Sequence, residues 1–124
     1  MEYSLSEHWT ARAREIAQVL GFTHVLLDRL VVVESFGTKT KHTVARVHSL
    51  GKVMQLGMNQ KPFYVIELIS ERFSRISDDE KVKTIIHELM HIPHSFGGGF
   101  RHHNPYVTTR TVEAEFLKYK ALVK

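Results

Sequence analysis

The chain has 124 residues, 43% of them hydrophobic and 24% charged, which suits one core and one domain over residues 1–124 and excludes a disordered or fibrous protein. No apolar run approaches the roughly 20 residues of a membrane span, and the N-terminal MEYSLSEHWTARARE lacks a signal peptide's apolar stretch, so a cytoplasmic protein without a membrane partner is expected. The formal charge of +4 is spread along the chain rather than clustered, which argues against a nucleic-acid partner, and the lack of cysteine leaves imidazole and carboxylate to hold any metal.

Ser6 to Gly21 reads as an amphipathic helix. Trp9, Ala13, Ile16, Ala17 and Leu20 recur at helical spacing, Ser6 can cap the start, and Gly21 suits the C-terminal turn. Leu30–Phe36 is a β-branched run ending at Gly37, and Thr43–His48 follows beyond a polar loop. These two are expected to pair antiparallel as a hairpin. Lys52–Met58, with Val53, Met54, Leu56 and Met58 among glycines, reads as a short edge strand. Phe63–Ile69 is apolar on both faces except at Glu67, as an inner strand should be.

Ser77-Asp78-Asp79-Glu80 fits a capping box and puts acidic groups at the positive end of a helix, which Pro93 ends near Ile92. Asn104 and Pro105 mark the start of a last helix through Tyr119. The sum is an α+β fold. It has a small mixed or antiparallel sheet of three to four strands, an N-terminal helix, the helix opening at Ser77, and a C-terminal helix.

In the helix opening at Ser77, Val82, Ile85, Ile86 and Leu89 form one apolar stripe, and His87 and His91 fall on the opposite side. Four residues make about one turn, so both rings can reach one ion. His87-Glu88-Leu89-Met90-His91 is the H-E-x-x-H pattern of zinc hydrolases, and each letter has a chemical reason. Two neutral imidazoles bind Zn²⁺, while Glu88 can reach water at the ion, act as general base and hand the proton to the leaving amine.

A third ligand must come from downstream, where His94, His102, His103, Glu113 and Glu115 are the candidates. His94 stands so near His91 that the chain would have to fold straight back at Pro93. Gly97-Gly98-Gly99 can reverse the chain and so deliver an imidazole from His102 or His103. Glu113 or Glu115 on the last helix would instead give a gluzincin-like arrangement. Tyr106 and Arg101 are candidates for stabilising an oxyanion, although packing and loop anchoring are the plainer roles for them.

The stretch HELMHIPHSFGGGFRHHNPYVTTRTVE resembles the minigluzincins and the related phage metallopeptidases, small soluble enzymes whose signature runs close to HELLHIP-x-x-F-x-G-G-L-R-x-H. Upstream, YVIELISERFSRISDDEKVKTIIHEL resembles the strand and loop leading into that family's metal helix, so the resemblance covers Tyr64 to about Tyr119. It implies zinc held by His87, His91 and His103, with Glu88 as general base. Arg101 aligns with the signature's arginine, and His102 stands where proline is common. The resemblance also implies a minimal zincin fold whose edge strand lines the cleft, and a peptide or unfolded protein as substrate. Latency as a proenzyme, or homo-oligomerisation, through the C-terminal segment Lys118–Lys124 is a further implication. Two other functions compete: a non-catalytic metal-stabilised scaffold, marked by a fourth protein ligand, and a SprT-like protease associated with nucleic acid, suggested only by the basic charge.

Overall fold

A computed structural model describes residues 1–123. In chain order the elements are β1 (Glu2–Leu5), α1 (Glu7–Val19), β2 (Leu30–Phe36), β3 (Ala45–Ser49), α2 (Lys52–Met58), β4 (Tyr64–Ile69), α3 (Ser70–Phe73), α4 (Asp78–Met90) and α5 (Thr109–Leu122). This is an α+β fold around one mixed four-stranded sheet of order β1-β2-β4-β3.

The sheet is organised by β4. Being apolar on both faces, it gains most from an inner position, and it takes one, running parallel to β2 and antiparallel to β3. The expected hairpin between residues 30–36 and 43–48 is therefore corrected. Those strands flank β4 and never pair with each other, because the polar link 37–44 carries the chain across it. An unexpected strand, β1, pairs antiparallel with β2 from Glu2↔Phe36 to Leu5↔Val33. All four of its residues are exposed, so it carries no alternating pattern and is held by its backbone ladder.

Two further expectations are corrected. Lys52–Met58 is a helix rather than an edge strand: lysine, methionine, glutamine and leucine are good helix formers, and Asn59 closes it in the left-handed region (φ 54°). The last helix begins at Thr109, not at Asn104. Thr108 and Thr111 cap each other's backbone N–H groups, Thr111 N–H to Thr108 Oγ1 at 3.1 Å and Thr108 N–H to Thr111 Oγ1 at 2.8 Å, so the stronger N-cap lies four residues downstream.

Helices α1, α4 and α5 pack against one another, with α1 on β2 and α4 against β3. Ser6 Oγ accepts from Trp9 N–H and opens α1, while Gly21 (φ 70°) turns the chain after it. The apolar stripes of α1 and α4 meet the inward residues of the sheet, among them Leu30, Val32, Tyr64, Ile66 and Leu68, all fully buried. At its far end α5 is tied to α1 and to the start of α4, by Lys118 to Leu20 O, Tyr119 to Glu15 and Lys120 to Asp79. Within the expected tail segment Lys118–Lys124, the final Lys124 lies outside the described residues. No helix among the described residues is long and apolar enough to cross a membrane.

One charge sits in the middle of the sheet. Glu67, 2% exposed, receives Arg46 Nε at 2.9 Å, Arg46 Nη2 at 3.1 Å and His48 Nε2 at 2.7 Å from β3. Burial pushes its carboxyl up, but the bonds from Arg46, Ser35 and His48 outweigh burial and hold its pKa down at about 2. A folded pKa below the ordinary carboxyl value means this stabilisation is present above about pH 4.5 and is lost as pH falls toward 2. Arg46→Ala should cost about 2 kcal/mol at pH 7, discounted because Arg46 is partly exposed. In urea denaturation the gap from the wild type should narrow as the pH falls below 4.5.

Candidate metal centre

The site is assembled where α4 ends and the chain reverses. Ser77 Oγ accepts from Glu80 N–H at 3.2 Å and fixes the start of α4. Val82, Ile85, Ile86 and Leu89 are buried against the core. With that stripe sealed, His87, Glu88 and His91 face a cleft bordered by β3 and by the loop after α4; Glu88 is 7% and His91 9% exposed.

The glycine loop is held from two sides. Phe96, Gly98 and Gly99 take positive φ values of 48°, 108° and 77°, which make the reversal. Tyr64 Oη, rising from β4, accepts from Gly98 N–H at 3.0 Å and donates to Gly99 O at 2.9 Å. From α2, Gln55 Nε2 donates to Gly97 O at 3.0 Å and to Leu50 O. A Cβ on Gly98 would come within 3.2 Å of Gln55 Nε2 and 3.3 Å of Leu50 O, so the left-handed backbone and the close approach both demand glycine there.

Two bonds then close the reversal onto α4. Arg101 N–H donates to His91 O at 2.7 Å. His91 Nδ1 lies 2.9 Å from Arg101 O, and since a carbonyl can only accept, Nδ1 carries the proton and leaves the Nε2 lone pair free. That is the arrangement of a metal-ligating histidine oriented by a backbone carbonyl. Two residues on, His103 joins His87 and His91. Their ligand nitrogens all lie within 4.8 Å of one another, with His87 Nε2 and His91 Nε2 only 3.2 Å apart. Nitrogens at the usual zinc distance in a tetrahedron stand roughly 3.3 Å apart, so this donor set fits a divalent ion. The ion would also lie by the last turn of α4, the negative end of its dipole.

The family model described as "Putative phage metallopeptidase" matches residues 1–119. The chain belongs to that family. The match begins at residue 1 and so takes in the N-terminal half, which the motifs around the histidines do not reach. No curated protein and no solved structure matches the chain.

In this phage metallopeptidase family member the remaining candidate residues stand apart from the three-histidine group. His102 is exposed and lines the cleft without joining the group. His94 sits beyond the turn against His24, ring centroids 4.5 Å apart, and within 3.3 Å of Arg101 Nη1. Glu113 pairs with Lys83 at 3.0 Å, and Glu115 lines a different cavity. Arg101 lies over the Tyr106 ring at 4.1 Å, so the two brace each other, and Tyr106 lines neither cavity beside the histidines. Sequence reasoning missed Tyr64, Gln55 and the Arg101 carbonyl. Backbone acceptors leave no trace in sequence, and a tyrosine in an apolar strand reads as core.

Two cavities flank the histidines, of about 690 Å³ on the α5 side and about 590 Å³ on the Phe100 side. Glu88 and His87 line both, together with the edge strand β3. Within this cleft the titratable groups move in opposite directions. Burial raises the Glu88 carboxyl to about 8, against a partial pull from the Val47 backbone. Burial, with repulsion from His91 and His103, lowers His87 to about 4. His87 is thus neutral and ligand-ready at neutral pH.

Linkage gives these shifts opposite signs. Glu88 contributes stability below about pH 4.5 that is lost as pH rises through 8, whereas His87 contributes stability above 6.5 that is lost as pH falls through 4. In a chelator, Glu88→Gln should therefore be more stable than the wild type, by roughly 2–4 kcal/mol at pH 9 and by almost nothing at pH 4.5. Denaturant melts across that range check it; a constant difference would contradict the burial of the Glu88 charge.

Proposed function

We propose that this chain is a zinc-dependent endopeptidase with a minimal, gluzincin-like zincin fold, in which His87, His91 and His103 hold the metal and Glu88 is the general base. The observation that carries this reading is the convergence of three imidazole nitrogens beside a buried glutamate in an open cleft. Membership of a metallopeptidase family supports it. Among the described residues the group holds three ligand residues rather than four, the count of a catalytic site that keeps one position open.

A Zn²⁺ ion bound there would polarise a peptide carbonyl and make water acidic enough to lose a proton near neutral pH. Glu88 accepts that proton, and its raised pKa suits both halves of the cycle: as carboxylate it takes the proton, and as acid it returns it to the leaving amine. With a cation held by the three histidines, the Glu88 carboxylate form would be favoured and its pKa would move back toward working pH. An extended peptide can add to the free edge of β3, the last strand of the sheet, because main-chain groups there have no partner strand among the described residues. Ala45–Val47 border the cavity that holds His87 and Glu88, so such a peptide would pass directly over them.

Glu88→Gln should lower hydrolysis of an unfolded protein such as casein by about 10²–10⁴-fold while zinc stoichiometry stays at the wild-type value. Equal rates in the two proteins would overturn the assignment. His103→Ala should weaken zinc binding at least about 10-fold, whereas His102→Ala should leave it unchanged; competition with a chromogenic chelator measures both.

A further inference from the structure

A third cavity, of about 620 Å³, lies among the chain leaving α1, the end of α4 and α5, and none of the three clustered histidines lines it. Its size falls in the roughly 300–1,000 Å³ range of small-ligand sites. Leu20, Phe22 and Met90 form an apolar wall, and two opposite charges, Arg101 and Glu115, line the same space.

Those two charges do not pair. Among the described residues Arg101 has no carboxylate and Glu115 no cation within 4.0 Å. Arg101 is instead held over Tyr106 and bonded to His94, which fixes the guanidinium without neutralising it. In the same wall His24 Nε2 is shut off from solvent with no partner among the described residues, against the exposed ring of His94.

A ligand with one charge would satisfy one of these groups and leave the other unpaired. A ligand carrying both charges on an apolar body can satisfy both. We propose that this cavity binds a free α-amino acid with a large apolar side chain, its carboxylate on Arg101, its ammonium on Glu115 and its side chain against Leu20, Phe22 and Met90. None of the three clustered histidines lines this cavity, although Arg101 borders the metal cleft as well, and the proposal does not rest on the peptidase reading.

The experiment is a titration of L-phenylalanine into the full chain as isolated, followed by ¹H–¹⁵N NMR, beside N-acetyl-L-phenylalanine, which lacks the ammonium, and L-phenylalaninamide, which lacks the carboxylate. Saturable shifts are expected at residues 20–25, Met90 and Ala114, with each capped analogue about tenfold weaker or more, the scale of one charge-assisted hydrogen bond. Glu115→Gln should abolish the penalty for N-acetylation and keep that for amidation; Arg101→Gln should do the reverse. Should Arg101→Gln fail to fold, Glu115→Gln, at a half-exposed helix position, decides alone. The proposal is overturned by no saturable shift into the millimolar range, or by capped analogues binding as well as the free amino acid. Shifts centred on Val47, His87 and His103 with residues 20–25 unmoved, the sign of an amino acid binding at the metal centre, would overturn it equally.

Discussion

The paired bonds between His91 and Arg101 are the constraint on which the rest of the site depends. One joins main chain to main chain at 2.7 Å and the other joins the imidazole to the same residue's carbonyl at 2.9 Å. Together they stitch the end of α4 to the returning chain and settle which nitrogen of His91 faces inward. Without them the ring could rotate and change tautomer, and the chain would lose its tie to α4 two residues before His103.

Holding that stitch in place is the work of the sheet. Tyr64 begins β4, an inner strand, so its hydroxyl is as fixed as the core that buries the ring, and it meets the backbone of Gly98 and Gly99. Gln55 secures the other flank from α2. A loop that would lose entropy on metal binding is thus ordered beforehand by contacts made on folding. Burial on the same cleft wall acts on His87 and Glu88 alike, keeping the imidazole neutral and the carboxyl protonated until a positive charge is nearby.

Much of this is legible in the sequence where a pattern is local. The caps at Ser6 and Ser77 and the phase of Val82, Ile85, Ile86 and Leu89 against His87 and His91 follow from helical spacing alone. The inner place of β4 follows from its two apolar faces. Pairings between distant segments are not local: nothing in residues 30–48 says that another strand will come between β2 and β3. Propensity also loses to context at Lys52–Met58, where apolar residues suggest a strand but Val53 and Leu56 lie more than four-fifths exposed on a helix. At the site, the choice of His103 rests on resemblance to a family signature, and its position among the histidines depends on a backbone path that spacing cannot specify.

The proposed metal would be held by three imidazoles, His87 and His91 at the end of α4 and His103 delivered by the clamped loop. X-ray absorption at the zinc edge of the purified full chain tests it most directly. The expected result is one zinc per chain with three histidine nitrogens and one light non-protein ligand at ordinary zinc distances. A spectrum requiring four protein ligands, or a glutamate in place of the third histidine, would contradict it.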